Sequence, residues 1–306
     1  MYASHIQILD PRFQALVLSN THLETLWQEG RWTEGPVYFG DGRFLLFSDI
    51  PNNQMLRYDE TDGSVSLFRQ PSHHANGSTR DREGRLVTCE HSGRRVTRTE
   101  FDGAITILAD AFEGKRLNSP NDVVVDREGA IWFTDPSYGI DSDYEGDQAP
   151  WEQSGCHVYR IDPLSGAVAK MADDFEQPNG LAFSADGSTL LIVDSGGSHR
   201  PDGPGHIRRF KLRDGGLSGG AVFADCTAGR FDGLRLDEAG NVWAAAEDGV
   251  HCLAPDGQLL GKILVPECCS NLCFGGPKRN RLYICATRGL YAAYVNARGL
   301  PYPFAS

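Results

Sequence analysis

The sequence predicts an all-β fold, a six-bladed β-propeller in which residues 1–306 form a single domain. A strand-rich unit recurs six times, at intervals close to the about 40–50 residues of a propeller blade. The 35 glycines are spread along the chain, as many tight turns require. No segment carries the long 3.6-residue apolar period that is typical of an amphipathic helix. A closed ring is favoured because it leaves few sheet edges unpaired.

The six units share one plan: a first strand, a turn, a second strand, and then further strand with a basic or tyrosine residue. The turns contain Asp-Gly, Glu-Gly or Ala-Gly pairs, because glycine accepts a positive φ without a steric clash at Cβ. Each unit therefore supplies about four short strands. In chain order the units begin at Glu34, Asn76, Asn121, Asn179, Asp232 and Asn271.

Two units carry long insertions rich in polar residues, Gly and Pro, at residues 138–155 and 196–206. Both insertions follow the second strand of their unit. Because the ends of second strands lie on one side of a propeller, we expect both insertions to cover the same face as lids.

The strand that closes the ring has two candidates near the start of the chain, in the segments ALVLSN and ETLWQEG. Either segment could pair with LYAAYVNARG in the last unit. The pattern leaves the choice between them open.

The chain is acidic, with a formal net charge of -12 and a pI of about 5.2. A negative surface repels phosphate backbones, so nucleic acid is not an expected partner. The N-terminal segment lacks the basic and apolar regions of a secretory signal, and no apolar run approaches the roughly 20 residues that cross a bilayer. We therefore expect a cytoplasmic protein that needs neither a membrane nor an obligate protein partner.

Three of the eight cysteines lie close together, at Cys268, Cys269 and Cys273. A zinc site would need a second cysteine pair or a histidine at ligand spacing, and the sequence offers neither. We expect free thiols that pack as small apolar side chains.

The residues that begin the six units are all carboxylates or amides. The first strand of a propeller blade runs along the central channel, so the residue at its start points toward the axis at one mouth. Convergent side-chain oxygens suit a hard divalent cation; Ca²⁺ is favoured, and Mg²⁺, Mn²⁺ or Zn²⁺ are alternatives. The other interpretation is that these residues merely cap turns, although turn capping does not require the same register in every repeat.

Four motifs extend this pattern over nearly the whole chain. They are TEGPVYF at 33–39, SPNDVVVDREGAIWFTDPSYG at 119–139, QPNGLAFSADGSTLLIVDS at 177–195 and FDGLRLDEAGNVWAA at 231–245. In these motifs the chain resembles the gluconolactonase/regucalcin-like lactonases, also called the senescence marker protein family. The resemblance implies a six-bladed propeller with one catalytic divalent metal. The ligands that it implies are Glu34, Asn121, Asn179 and Asp232.

One position separates branches of that family. Members similar to regucalcin carry an arginine two residues before the asparagine of the second motif, where the arginine contacts substrate. This chain has Ser119 there. The chain therefore looks more similar to the bacterial gluconolactonase branch.

The function that the resemblance implies is hydrolysis of a sugar lactone such as glucono-1,5-lactone. The metal would polarise the ring carbonyl and stabilise the developing oxyanion. We expect Asp232 to be the catalytic base as well as a ligand, since the second oxygen of a metal-bound carboxylate can accept a proton from water. Two alternatives stay open: a related metal-dependent hydrolase of aryl esters or phosphotriesters, and a non-catalytic propeller that binds metal, sugar or protein.

Further residues are expected near the substrate. His91 ends the second strand of its unit and is either a substrate contact or a hydrogen-bonded structural histidine. Asp135 and Asp194 occupy the matching position in other units, where they would orient ligands or stabilise turns. The residues expected to contact substrate are His91, Asn76, Tyr138 and Ser119.

Overall fold

The computed structural model describes residues 2–213 and 215–301. Within them the chain forms strands almost throughout, with one short α-helix, α1 (Tyr138–Asp141), and two 3₁₀ helices at Pro11–Ala15 and Gly196–Ser198. Six sheets of four or five strands follow one another around a ring, which confirms the predicted six-bladed β-propeller. No helix in this part of the chain is long and apolar enough to cross a membrane.

Two strands precede the first blade, β1 (Ile6–Ile8) and β2 (Glu24–Trp27). The first blade contains β3 (Thr33–Phe39), β4 (Phe44–Asp49), β5 (Gln54–Asp59) and β6 (Val65–Arg69). The second blade contains β7 (Ala75–Arg80), β8 (Leu86–Glu90), β9 (Arg95–Thr99) and β10 (Ile105–Ala109). A separate hairpin follows, formed by β11 (Ala111–Phe112) and β12 (Lys115–Arg116). The third blade contains β13 (Val123–Val125), β14 (Ile131–Asp135), β15 (Cys156–Ile161) and β16 (Val168–Phe175).

The fourth blade contains β17 (Pro178–Phe183), β18 (Thr189–Asp194), β19 (His206–Arg213) and β20 (Gly216–Asp225). The fifth blade contains β21 (Leu234–Leu236), β22 (Val242–Ala246), β23 (Gly249–Leu253) and β24 (Leu259–Leu264). The sixth blade contains β25 (Cys269–Gly275), β26 (Arg281–Ala286) and β27 (Gly289–Tyr294). The first strands of adjacent blades contact one another around the ring, so these six strands line the central channel.

The ring is closed by residues from the start of the chain. Strand β2, which lies in ETLWQEG, pairs with β27 and becomes the outermost strand of the sixth blade. The segment ALVLSN contributes one isolated bridge, between Val17 and Val295. Strand β1 was not anticipated from the sequence, and it adds a fifth strand to the edge of the fifth blade by pairing with β24. The first strands of the chain therefore add an outer strand to each of two blades, the fifth and the sixth.

The hairpin between β13 and β14 illustrates why the predicted turns form. Asp126 accepts hydrogen bonds from two backbone N–H groups of the turn (3.0 and 2.8 Å) and from the indole Nε1 of Trp132 (2.9 Å). Gly129 takes a φ of 93°, which glycine adopts without strain. The fifth blade repeats the arrangement with Asp237 and Trp243. The repeated Asp and Gly of the motifs therefore build the same turn in different blades.

The hydrophobic core lies between the blades. Six clusters of buried apolar side chains occur in the described chain, one at each interface between adjacent blades. At the interface of the third and fourth blades, the fully buried Trp132 packs edge-on against Phe183 with ring centroids 5.8 Å apart. Because every blade is packed on both sides, the strands that line the channel are held firmly in place.

Candidate active site

Residues that begin the repeated units meet at one mouth of the central channel. Five of them line a cavity of about 200 Å³, namely Glu34, Asn76, Asn121, Asn179 and Asp232. Asp232 is partly exposed in the cavity, and the other four are buried. The sixth residue, Asn271, lies beside Glu34, and its Nδ2 donates a hydrogen bond to Glu34 Oε2 (2.9 Å). The shared register therefore produces a ring of oxygen-bearing side chains, called here the axial ring.

The backbone interrupts the strand pairing at the same place in every blade. In four blades a β-bulge lies at the axial residue, as between Glu34 and Val37 of β3. In the other two blades the first strand begins two residues after the axial residue, at Val123 and Leu234. A bulge frees a side chain from the alternation of the strand and is common beside active sites. The interruptions explain how all six side chains can turn toward the axis.

Glycine follows the axial residue in four blades and lets the inner strands approach one another. The N–H of Gly77 donates to the carbonyl oxygen of Asn121 in the next blade (2.7 Å), and a Cβ at Gly77 would lie 2.4 Å from that oxygen. At Gly233 a Cβ would lie 2.1 Å from the side chain of Asn271. Larger residues at these two positions would push the strands apart and widen the axial ring.

Glu34 and Asp232 place two carboxyl groups at the same cavity. Burial raises the pKa of Glu34, although the backbone N–H of Gly35 donates to its carboxylate, and the charge of Asp122 raises the pKa further. Burial also raises the pKa of Asp232 well above its usual range, and the charges of Glu34 and Glu145 add to the effect. Both carboxyl groups are therefore costly to ionise together unless a cation joins them.

His91 stands behind Asn76 and is fully buried. Its Nδ1 lies 3.0 Å from the backbone carbonyl oxygen of Glu145, and its Nε2 lies 3.1 Å from Nδ2 of Asn76. Burial lowers the pKa of His91 to about 4, so the ring is neutral near pH 7. Because both ring nitrogens have partners within the protein, a role of His91 toward substrate could only be indirect.

Both insertions reach over the cavity. Tyr138 and Glu145 from the first insertion and Ser198 from the second line it together with the axial ring. The insertions also contact each other, since Tyr138 Oη lies 3.0 Å from Ser198 Oγ and Nε2 of His199 lies 2.7 Å from Oδ2 of Asp141. The two insertions therefore lie together on the face that carries the axial ring, as the sequence predicts.

Glu145 is the charged residue that the first insertion contributes to the cavity, and the sequence analysis did not single it out. Burial raises its pKa to about 7, and the charge of Asp141 adds to the rise. Glu145 belongs to the acidic run DSDYEGD, in which the three aspartates are exposed. The one signal in the sequence that favours Glu145 as a site residue is its position in a predicted lid.

Ser119 is fully buried and does not line the cavity. Its Oγ donates to the carbonyl oxygen of Pro136 (2.7 Å) and accepts a hydrogen bond from the backbone N–H of Gly139 (2.9 Å). Ser119 therefore holds the base of the first lid, and its predicted contact with substrate would again be indirect.

Asp135 and Asp194 fix the backbone that leads into two axial residues. Oδ2 of Asp135 accepts a hydrogen bond from the N–H of Asn118, and Oδ1 of Asp194 accepts one from the N–H of Gln177, both at 2.9 Å. Asn118 and Gln177 come shortly before the axial residues of the third and fourth blades. Both aspartates therefore hold the main chain that leads into the axial residues, an arrangement that fits either of the two roles expected for them, orienting ligands or stabilising turns.

The axial ring fits a hard divalent cation. Two carboxylates would balance its charge, and amide oxygens are donors that such ions accept. Oδ1 of Asn76 is buried and has no hydrogen-bond partner, which is rare for a polar atom unless a ligand completes the site. In the described residues no cluster of three or more His, Cys, Asp or Glu side chains is suited to a metal, and the eight cysteines are free thiols. A cation would therefore depend on the amides as well as on the carboxylates.

Comparison with known proteins gives consistent matches. A family model described as SMP-30/Gluconolactonase/LRE-like region matches residues 32–288. The chain is 32% identical to a gluconolactonase of Zymomonas mobilis over 92% of this chain and 83% of that protein. It is 28% identical to the pentonolactonase XacC of Haloferax volcanii over 85% of this chain and 82% of that protein. A solved gluconolactonase of Xanthomonas campestris superposes with a TM-score of 0.89 at 36% identity, over 95% of this chain and 94% of that one.

The matched range includes all four sequence motifs and the whole axial ring. The resemblance drawn from the motifs is therefore confirmed over most of the chain. The chain belongs to the SMP-30/gluconolactonase/LRE-like family.

Proposed function

We propose that this chain hydrolyses a sugar lactone, such as glucono-1,5-lactone, with one divalent cation on the propeller axis, for which Ca²⁺ is favoured. The observation that carries the proposal is the axial ring, where two carboxylates and several amides converge on one cavity. The gluconolactonases and the pentonolactonase among its relatives support lactone hydrolysis as the reaction class.

The residues proposed to hold the cation are Glu34, Asn121, Asn179 and Asp232. When bound, the cation would polarise the lactone carbonyl and stabilise the negative charge that develops on its oxygen. The chain itself contributes the geometry, because bulges and packed blades fix the ring residues before any ligand arrives. Such preorganisation lowers the cost of binding.

Asp232 is the proposed general base. A base must reach the proton of the attacking water directly, and Asp232 is partly exposed to the cavity. Oε2 of Glu34 accepts hydrogen bonds from the N–H of Gly35 (2.5 Å) and from Nδ2 of Asn271 (2.9 Å), whereas Asp232 accepts one from the side chain of Asn179. The two carboxylates therefore have different surroundings, which suit Glu34 to holding the cation and Asp232 to proton transfer as well.

The lids support a sugar as the substrate. Tyr138, Glu145 and Ser198 bring two hydroxyl groups and one carboxylate over the axial ring. A carboxylate forms strong hydrogen bonds with hydroxyl groups. A sugar lactone offers several hydroxyls to these residues, whereas simple aryl esters and phosphotriesters offer none. The cavity therefore favours lactone hydrolysis over the alternative ester and phosphotriester activities.

The test uses protein stripped of metal and a panel of glucono-1,5-lactone, a pentonolactone, an aryl ester and a phosphotriester. Hydrolysis should be absent without metal, return with Ca²⁺, and be fastest for the hydroxylated lactones. Full activity in metal-free protein would contradict the cation, and faster turnover of the aryl ester or the phosphotriester would contradict the substrate class. Metal binding without turnover of any substrate would support a non-catalytic binding protein.

A further inference from the structure

Asn76 carries an unexplained polar atom at the cavity. Its side chain is buried and lines the cavity, and its Oδ1 has neither a hydrogen-bond partner nor access to solvent. A buried amide oxygen that is left unpaired destabilises the protein until a ligand or hydrogen-bond donor completes it. The family resemblance assigns Asn76 no role as a metal ligand. An oxygen of this kind is suited to a ligand that accepts electron pairs, and a divalent cation is such a ligand.

His91 determines which atom of the Asn76 amide is left free. The carbonyl oxygen of Glu145 can only accept a hydrogen bond, so Nδ1 of His91 must carry the proton. Nδ2 of Asn76 can only donate, so Nε2 of His91 is the acceptor of the contact between them. The amide is thereby fixed with its nitrogen toward His91 and its oxygen unpaired.

Asn271 shows the opposite arrangement in the same ring. Its Nδ2 donates to Oε2 of Glu34 (2.9 Å), and its Oδ1 accepts a hydrogen bond from the backbone N–H of Leu272 (2.8 Å). Both polar atoms of this amide are used within the protein. Of the two axial amides that lie outside the expected ligand set, Asn76 therefore has an oxygen to offer and Asn271 does not.

We propose that Asn76 supplies a further oxygen to the axial divalent cation, and that His91 is the positioning residue that makes Asn76 present oxygen rather than nitrogen. Because the partner of His91 Nδ1 is the main chain of the first lid, the lid holds the ring orientation on which this arrangement depends. This proposal rests on the axial cation of the proposed function. It adds Asn76 as a fifth protein donor to that cation and His91 as the residue that orients Asn76.

The experiment measures the Kd of Ca²⁺ by calorimetry, with no substrate present. Asn76→Ala should weaken Ca²⁺ binding by about 10-fold or more, and His91→Phe by about 10–100-fold, as changes to groups that orient metal ligands do. His91→Gln can still accept from Asn76 and donate to the lid, so its Kd should lie closer to wild type than that of His91→Phe. His157→Phe removes another buried histidine, outside the axial cavity, and serves as the matched control.

A second pair of variants separates orientation from general damage. Asn76→Asp presents an oxygen whichever way the side chain turns. Its gain in Ca²⁺ affinity should therefore be larger in the His91→Phe background than beside His91. Equal gains in both backgrounds would overturn the positioning role, as would a His91→Phe Kd no weaker than that of the His157→Phe control. If His91→Phe does not fold, the same comparison is made with His91→Leu, and Asn76→Ala remains decisive for the oxygen donor.

The outcome for Asn76 is separable from that for the proposed function. If the wild-type protein binds Ca²⁺ and Asn76→Ala binds it within about twofold, which is less than 0.5 kcal/mol, the further donor is refuted while lactone hydrolysis stands. If the wild-type protein binds neither Ca²⁺ nor another divalent cation, the axial cation itself is refuted, and the donor with it. If Asn76→Ala weakens binding and no lactone is hydrolysed, the donor is supported and the proposed activity is refuted.

Discussion

The two ends of the central channel are lined by the same six inner strands but have opposite chemistry. At one mouth every axial residue carries a side-chain oxygen. Three residues further along each strand, about 10 Å away at a strand's rise per residue, a cavity of about 410 Å³ has mostly apolar walls. The residues at that register are Val37, Thr79, Val124, Ala182, Arg235 and Phe274. This cavity is larger and more apolar than the one at the axial ring, but it lacks convergent catalytic groups. Cavity size therefore does not identify the candidate active site in this structure.

Arg235 and Asp122 meet between the two mouths. Nη1 of Arg235 lies 3.5 Å from Oδ2 of Asp122, whose side chain is almost fully buried. The charge of Asp122 raises the pKa of both Glu34 and Asp232. Arg235 therefore balances a third buried carboxylate close to the axial ring. We interpret the polar mouth as the end of the channel that carries out catalysis and the end that contains Arg235 as one that stabilises the fold. The following experiments test this difference between the two ends.

The largest effect on rate is expected for Asp232→Asn. The change keeps the shape and one oxygen for the cation but removes the base, and loss of a general base costs about 10²–10⁴ in rate. The measurement is kcat for lactone hydrolysis at saturating metal. A kcat within a few-fold of wild type would leave Asp232 as a ligand alone, and the base would have to be sought among other residues.

Glu34→Gln should act on metal binding rather than on proton transfer. Removing one of two buried charges that face a cation costs about 3 kcal/mol, which corresponds to a Kd for Ca²⁺ about 100-fold weaker or more. Glu247→Gln is the control, because Glu247 lines the same cavity but is exposed and pairs with Arg230. Equal Kd values for the two variants would show that the axial ring is not the cation site.

Arg235→Met should lower the free energy of unfolding strongly and have a smaller effect on kcat at saturating metal. The substitution leaves the buried carboxylate of Asp122 without its ionic partner, which should lower the free energy of unfolding by about 3 kcal/mol. Urea denaturation measures this loss. Arg279→Met is the matched control at the same cavity, because its ion pair with Glu238 is exposed and contributes at most about 1 kcal/mol. A large loss of kcat/KM in folded Arg235→Met would contradict the division between the two ends.

Glu145→Gln should change substrate preference. A hydrogen bond to a charged group contributes about 1.5–3 kcal/mol, so kcat/KM for a hydroxylated lactone should fall by about 10–100-fold, while that for unsubstituted δ-valerolactone stays the same. Since burial raises the pKa of Glu145 to about 7, its carboxylate is charged above that pH and neutral below it. The ratio of the two kcat/KM values should therefore fall as the pH drops through 7 in wild type and stay flat in the variant. A pH-dependent ratio in Glu145→Gln would assign the effect to another group.

The smallest effect concerns the contact between the lids. Tyr138→Phe and Ser198→Ala each remove one partner of a hydrogen bond worth about 1 kcal/mol, so KM should rise about fivefold in each. The KM of the double variant should be no higher than that of either single variant, because both substitutions remove the same contact. Additive losses would mean that the two residues act on substrate separately.

The axial ring could be predicted from the sequence because each blade repeats one motif, and the motif marks the same position every time. Glu145 could not, because the sequence of its insertion is not repeated in the other blades and its acidic neighbours look alike in sequence. His91 and Ser119 show a further limit. The repeat places them near the axis, but whether a side chain reaches the cavity or stands one layer behind depends on hydrogen bonds with the first lid, which the sequence does not reveal.

Closure of the propeller by strand β2 has a consequence for the order in which the blades fold. Strand β2 leaves the ribosome long before its partner β27, so the sixth blade, like the fifth with its pairing of β1 and β24, depends on contacts between residues that are distant in sequence. That blade also carries Asn271, whose amide supports Glu34 of the first blade. During synthesis Glu34 therefore lacks its amide partner until Asn271 has emerged. A nascent chain could assemble several blades co-translationally, but the proposed cation site should be complete only after the sixth blade has closed on the first.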